Sequence, residues 1–416
     1  MKKNYILVVL ILVAFFVISF LTNILGAINP SVSSSYDLSD TMAGFLPFSF
    51  FIAYGVMSIP AGFMTEKYGE KRMMLVGFSF AFLASSLFVG IPSFGVFLFS
   101  LFTIGLGMAI LQVVIYPLLR EAGGKENYAF TAVLAQLIFG AASFVSPLVY
   151  SWLVTNMGDG KKENGIINFL STVTPSDMSW ISIYWVFALF SLIMILLTLV
   201  IKFPKVALNE DEKVGSKDSY FLLFKDRTVL LFFFAIFAYV GVEQGISYWI
   251  SKFLQTYHGY DYETVGAVAV ANFWGLMTIG GIVGLVLLKF LDGKLVLKLF
   301  TSLAILSLAL GLFGPAEYAI LGFQGSGFFL SVMFPIIFSL ALNSMDKHHG
   351  AFAGILVSGI MGGAIVQLLI GFISDLTSLK IGMLFNFILL AYILSIGFWA
   401  KPLISNKTIN LKKKES

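Results

Sequence analysis

The chain has 416 residues, 58% of them apolar and only 12% charged, and its mean hydropathy is +0.93. A single water-soluble core cannot hide that much apolar surface, so a bilayer has to act as the apolar solvent. The net charge of +4 gives no sign of a nucleic-acid partner, and the absence of cysteine excludes disulfides, thiolate metal sites and cysteine catalysis.

Crossing a hydrocarbon core of about 30 Å takes about 20 apolar residues per helix. Charge-free windows of that length predict spans over 5–28, 42–64, 73–91, 94–119, 127–154 and 180–203, then 229–256, 264–290, 294–314, 317–343, 350–374 and 380–402. Lys2 and Lys3 could open a secretory signal, but the run behind them is long and no A-x-A-like cleavage site follows, so it is read as span 1. Most linkers are short, as antiparallel neighbours in a bundle require. Residues 155–179 separate spans 5 and 6. A charged stretch with Lys205, Glu210, Asp211, Glu212, Lys213, Lys217 and Asp218 divides the chain more deeply. The expected organisation is an all-α integral membrane protein, monomeric, with a six-helix bundle over 1–203, a cytoplasmic linker over 204–228 and a second bundle over 229–416 that ends in a short basic tail. Of the 26 Lys and Arg residues, all but Lys161, Lys162, Lys252 and Lys380 lie at the termini or in even-numbered loops. The positive-inside rule therefore puts both termini in the cytoplasm.

In chain order, the polar groups deep in the spans are Asn23 in span 1, Gln112 in span 4, Gln136 in span 5, Glu243 and Gln244 in span 7, Asn272 in span 8, Gln324 in span 10 and Gln367 in span 11. Of the 22 carboxylates only Glu243 is deep; Asp375 sits at the edge of span 11, and no Lys or Arg lies in a span interior. An anionic solute would call for a buried cation, so neutral or cationic solutes are favoured. Glu243 has two readings, a coupling or substrate group, or a protonated acid linking helices. The amides suit the hydroxyls of a sugar, or else serve as interhelical glue. Trp249 and Trp274, close in sequence to Glu243, Gln244 and Asn272, could stack on a pyranose ring or act as interfacial anchors. His258, His348 and His349 fall at helix ends or in loops and read as solvated surface, with no metal site among them. No nucleophile elbow, zinc-protease motif or phosphate-binding loop is present, which sets aside enzymatic and ATP-driven readings. Pro60, Pro117, Pro147 and Pro335, with Gly280-Gly281 and Gly362-Gly363, supply kinks that a rocking bundle could use.

The halves echo one another weakly: Ile115-Tyr116-Pro117 in span 4 matches Met333-Phe334-Pro335 in span 10. Between spans 2 and 3, Gly62, Glu66, Lys67, Gly69, Lys71 and Arg72 fall in register with G-x-x-x-D/E-[RK]-x-G-x-[RK]-[RK]. Together these resemble the major facilitator superfamily, whose parallel six-helix repeats hold substrate at their interface. Further matches are Ser58-Ile-Pro60-Ala61-Gly62, Leu134-Ala135-Gln136, Tyr239-Val-Gly-Val-Glu243, Phe273-Trp274-Gly275, Phe334-Pro335-Ile-Ile-Phe-Ser339, Gly362-Gly363-Ala-Ile-Val and Gly371-Phe-Ile-Ser-Asp375. In that order the chain resembles the fucose–galactose–glucose cation symporters.

The resemblance implies a bacterial inner-membrane importer, with sugar contacts at Gln136 and around the motifs of spans 7, 8 and 10. Fucose-transporting members use an Asp in span 1 and a Glu in span 4 as protonatable groups. Here span 1 has no acid, the span 4 position is Gln112, and the polar partner after the span 5 glutamine is replaced by Phe139. Glu243, matching an acid of the hexose-type members, is left as the coupling candidate: protonated it would carry H+, ionised it would suit Na+. The expected site is therefore Asn23, Gln112, Gln136, Gln244, Tyr248, Trp249, Asn272, Trp274 and Phe334 for a neutral sugar, with Glu243 for the co-transported cation, the 2–3 loop as conformational element, and no other cofactor or metal. Drug efflux within the same fold is the alternative, although span 5 lacks the G-x-x-x-G-P-x-x-G-G of proton-driven drug antiporters. A lipid-processing enzyme would need paired acids, a Ser–Lys pair or a metal cluster among the spans, and none occurs.

Overall fold

The computed structural model describes residues 4–124, 128–158, 165–204, 217–345, 347 and 349–403. Lys2, Lys3, Lys161, Lys162, the charged stretch 205–216, His348 and the basic tail beyond 403 lie outside the described residues. Among those described, twelve helices are long and apolar enough to cross a membrane: Tyr5–Ser35, Asp40–Tyr68, Glu70–Gly90, Phe94–Gly123, Thr131–Met157 and Ser179–Val200 are spans 1 to 6. Spans 7 to 12 are Arg227–Ser247, Tyr262–Phe290, Gly293–Phe313, Ala316–Leu342, His349–Leu376 and Leu379–Trp399.

The helix starts obey capping chemistry, because a polar side chain at the membrane face is the cheapest partner for the first free N–H groups. Ser39 caps span 2 at Met42, Asp226 caps span 7 at Thr228 and Val229, Asp261 caps span 8 at Glu263 and Thr264, and Asp292 caps span 9 at Lys294. Between spans 2 and 3 the chain reverses on Gly69 alone, at φ +85, a conformation that suits glycine. Lys71 of the same turn donates to the carbonyls of Leu199 and Ile201 at 2.9 and 2.8 Å, placing a cation on the C-terminal end of span 6.

Among the described residues, span 12 is interrupted at Leu384, near its start, and four further spans are broken along their length. Span 1 interrupts at Asn23-Ile24, the seventh at Tyr248-Trp249 before a short helix Ile250–His258, the tenth at Ser331-Val332, and the eleventh passes through a 3-10 turn at Gly359–Met361. Unwound backbone at membrane depth is tolerated where it is buried in protein or lines a wet cavity. Spans 1 to 6 pack on one another, chiefly 2 on 4, 3 on 4 and 6, and 1 on 5; spans 7 to 12 pack chiefly 7 on 11 and 12, and 10 on 8 and 9. The two sets meet along two seams, span 2 against 11 and span 5 against 8.

Candidate functional site

Between the two sets lies a cavity of about 1830 Å³. Its size exceeds the roughly 300–1,000 Å³ of an ordinary ligand pocket because one end gapes. The mouth is lined by Gly62, Glu66, Lys67 and Gly69 of the 2–3 turn, Tyr220 of a short helix Lys217–Leu223 that precedes span 7, Asn343 at the end of span 10 and Gly350 at the start of span 11. This is the end that carries the described chain termini: Asn4 bonds to Ala122 and Lys202, and Leu403 to Asn343. Lys71 and Arg72 lie just outside the lining, Lys71 being engaged with span 6. Lys67 is the one cation among the described lining residues, and it sits at the mouth.

Further in, the walls differ. On the side of spans 1 to 6, Asn23 stands at the span 1 break and donates to Ser143 at 2.8 Å, while the Ser143 and Ser19 hydroxyls lie 2.6 Å apart, each within hydrogen-bond reach of the other and of the Phe139 carbonyl. Gln136 donates to the Tyr116 hydroxyl at 2.9 Å, and Gln112, one helical turn before Tyr116, lines the same wall. All these groups are neutral. On the facing wall Glu243 is half-buried and accepts from the Tyr239 hydroxyl at 2.8 Å, again across one turn of one helix. The Tyr239 ring lies 5.7 Å from that of Phe334, and Gln244 and Trp274 complete the wall. Trp274 is buried, and its Nε1 has no hydrogen-bond partner. Leaving such a donor unpaired costs about 1–3 kcal/mol.

The structure thus brings Asn23, Gln112, Gln136, Glu243, Gln244, Trp274 and Phe334 to one cavity, with four of the six loop residues at its mouth. Tyr248, Trp249 and Asn272, expected to contact solute, do not line it. Trp249 is fully buried between spans 7 and 11, where its Nε1 donates to Gln367 Oε1 at 3.0 Å. The Tyr248 hydroxyl donates to the carbonyl of Ala43 in span 2. Five and six residues beyond Glu243, at about 100° per residue, both rings fall on other faces of span 7 than the one that carries it. Asn272 is half-buried on span 8, outside the lining. Sequence reading missed Tyr116, Tyr239, Tyr54 and Ser143 as lining groups. Tyr116 and Tyr239 lie four residues from Gln112 and Glu243, a helical spacing that could have found them.

The comparisons with known proteins fit this geometry. The profile described as Major Facilitator Superfamily matches residues 11–366. The chain is 30% identical over 392 residues to a glucose/galactose transporter of Brucella abortus, covering 92% of this chain and 91% of that one. It is 24% identical over 384 residues to an L-fucose-proton symporter of Escherichia coli, covering 87% and 85% respectively. A crystal structure of the E. coli fucose:proton symporter superposes with a TM-score of 0.68 at 21% identity, over 96% of this chain and 100% of that one.

Proposed function

Because the chain belongs to the Major Facilitator Superfamily, and within it to the fucose–galactose–glucose symporters, we propose that it imports a neutral sugar by symport with H+ or Na+. Membership makes it a multi-pass membrane transporter and not an enzyme. The finer reading is that a hexose, deoxyhexose or amino sugar binds between two six-helix bundles that alternate in exposing it.

One observation carries this reading: a cavity between the two sets of spans in which Glu243, the one carboxylate of the described lining that lies deep and away from the mouth, faces a wall of neutral amides. Amides match sugar hydroxyls as both donor and acceptor without adding charge. The buried indole N–H of Trp274 offers a further donor, and its ring a stacking face. With no Lys or Arg deep in the lining, an anionic sugar has no counterion. The Asp and Glu that serve fucose-type members are replaced by neutral residues here, which leaves Glu243 to meet the coupling ion. By the distribution of basic residues, the open mouth faces the cytoplasm of a bacterial cell.

The test is uptake of radiolabelled glucose, galactose, fucose and an amino sugar into proteoliposomes holding the purified protein, under an imposed H+ or Na+ gradient. Accumulation of at least one sugar under one gradient is the expected result. Absence of gradient-dependent uptake for all of them overturns the proposal.

A further inference from the structure

Two charged residues stand out in the sequence without a role in the cavity: Lys252, an exception to the basic-residue bias, and Asp375, the acid at the edge of span 11. The fold brings both to Asp40, at the end of the molecule opposite the open mouth. Asp375 Oδ1 accepts the backbone N–H of Asp40 at 2.8 Å, and its Oδ2 that of Thr41 at 2.9 Å. A carboxylate from one set of spans therefore caps the first turn of span 2 in the other set, where free N–H groups and the helix dipole favour negative charge. The Asp40 side chain is taken up in turn by the Lys252 ammonium and the Ser374 hydroxyl.

The seam below this cluster is built for backbone contact. A Cβ on Gly371 would fall 2.3 Å from the carbonyl oxygen of Asp40, one on Gly44 2.9 Å from that of Gln367, and one on Gly26 2.2 Å from that of Ser247. Each glycine belongs to one set of spans and each carbonyl to the other. Lys252 Nζ lies 5.8 Å from the centre of the Trp249 ring, whose N–H holds Gln367, so the charged cluster continues into the buried Trp249–Gln367 pair beneath it. At the other end the same two sets stand apart around the mouth.

From this we infer that Asp375, Asp40 and Lys252 form a latch that locks the far end shut and sets the resting preference for the state open toward the termini. Opening the far end has to separate span 2 from span 11, which strips the Asp375 cap and the Lys252 pair together. Removing the latch therefore stabilises the oppositely open state relative to this one, whatever solute is carried.

The chain contains no cysteine, so any single introduced cysteine is the only thiol. Ser33→Cys and Ser247→Cys report on the far end, where both residues are buried, and Ser339→Cys reports on the cavity, where Ser339 is exposed. Maleimide labelling rates are measured on the purified full-length protein in lipid nanodiscs, with both faces open to reagent. Asp375→Asn is expected to raise the far-end rates about tenfold, the scale of a lost helix cap, and to lower the Ser339→Cys rate. Asp375→Glu, which keeps a carboxylate, returns both rates toward the parent values. Lys252→Met gives the same reciprocal change should Asp375→Asn fail to fold. Unchanged rates in both variants overturn the inference, and so does a rise at both ends, which is general loosening and not a shift between two states. Sugar plays no part in this measurement, so its failure is distinct from failure of the transport proposal.

Discussion

The two walls of the cavity are made of the same kind of helix and face the same space, yet their chemistry differs. Spans 1, 4 and 5 present Asn23, Gln112 and Gln136, neutral groups tied into bonds with Ser143 and Tyr116. Spans 7, 8 and 10 present the one deep carboxylate, an unpaired indole N–H and the ring of Phe334. On the proposed reading both walls bind the solute, the first through amides and the second through the Trp274 ring, and the second alone couples it to an ion. Glu243, which would change its partner during the cycle, stands across the cavity from Asn23, Gln112 and Gln136, whose geometry has to stay fixed to read hydroxyls.

Glu243→Gln breaks the comparison most severely. One elementary charge moved across 100 mV is worth about 2.3 kcal/mol, so losing the coupling charge forfeits a concentration ratio of nearly fiftyfold. Gradient-driven accumulation in proteoliposomes is expected to fall to equilibrium while sugar counterflow persists. Persistence of both makes Glu243 a structural link; loss of both makes it a substrate ligand. Trp274→Ala comes next, with sugar affinity in equilibrium binding expected to weaken about thirtyfold through lost stacking and apolar contact. Trp274→Phe keeps a ring and should lose only the share due to the N–H, severalfold at most. Equal losses in the two variants would mean that the ring face does not touch solute.

Much of this was legible before the structure. The twelve spans follow from charge-free windows, and Glu243 is found because an acid deep in an apolar run has no cheap alternative. What failed was inference from sequence neighbourhood. Tyr248 and Trp249 are five and six residues beyond Glu243, a spacing that puts them on other faces of a helix, and their rings serve the closed seam instead. Tyr116 and Tyr239 pair with the wall residues at a spacing of four, visible in the sequence but weighed only as motif letters. Lys252 and Asp375 could be seen as exceptions, yet nothing local says that they meet at Asp40, because that contact is fixed by the packing of span 2 on span 11.

The amide wall yields the smaller effects. Gln136→Ala removes one neutral hydrogen bond to solute, worth about 0.5–1.5 kcal/mol, so affinity should fall about fivefold with the accumulation ratio at saturating sugar unchanged. Tyr116→Phe is expected to cost about twofold, since the hydroxyl that accepts from Gln136 at 2.9 Å then acts only by orienting the amide. The double variant decides this. If Tyr116 works through Gln136, the pair loses no more than Gln136→Ala alone, and the coupling energy equals the whole Tyr116 effect. If the two losses multiply, Tyr116 meets the solute on its own account, and the first wall carries a phenol as well as amides.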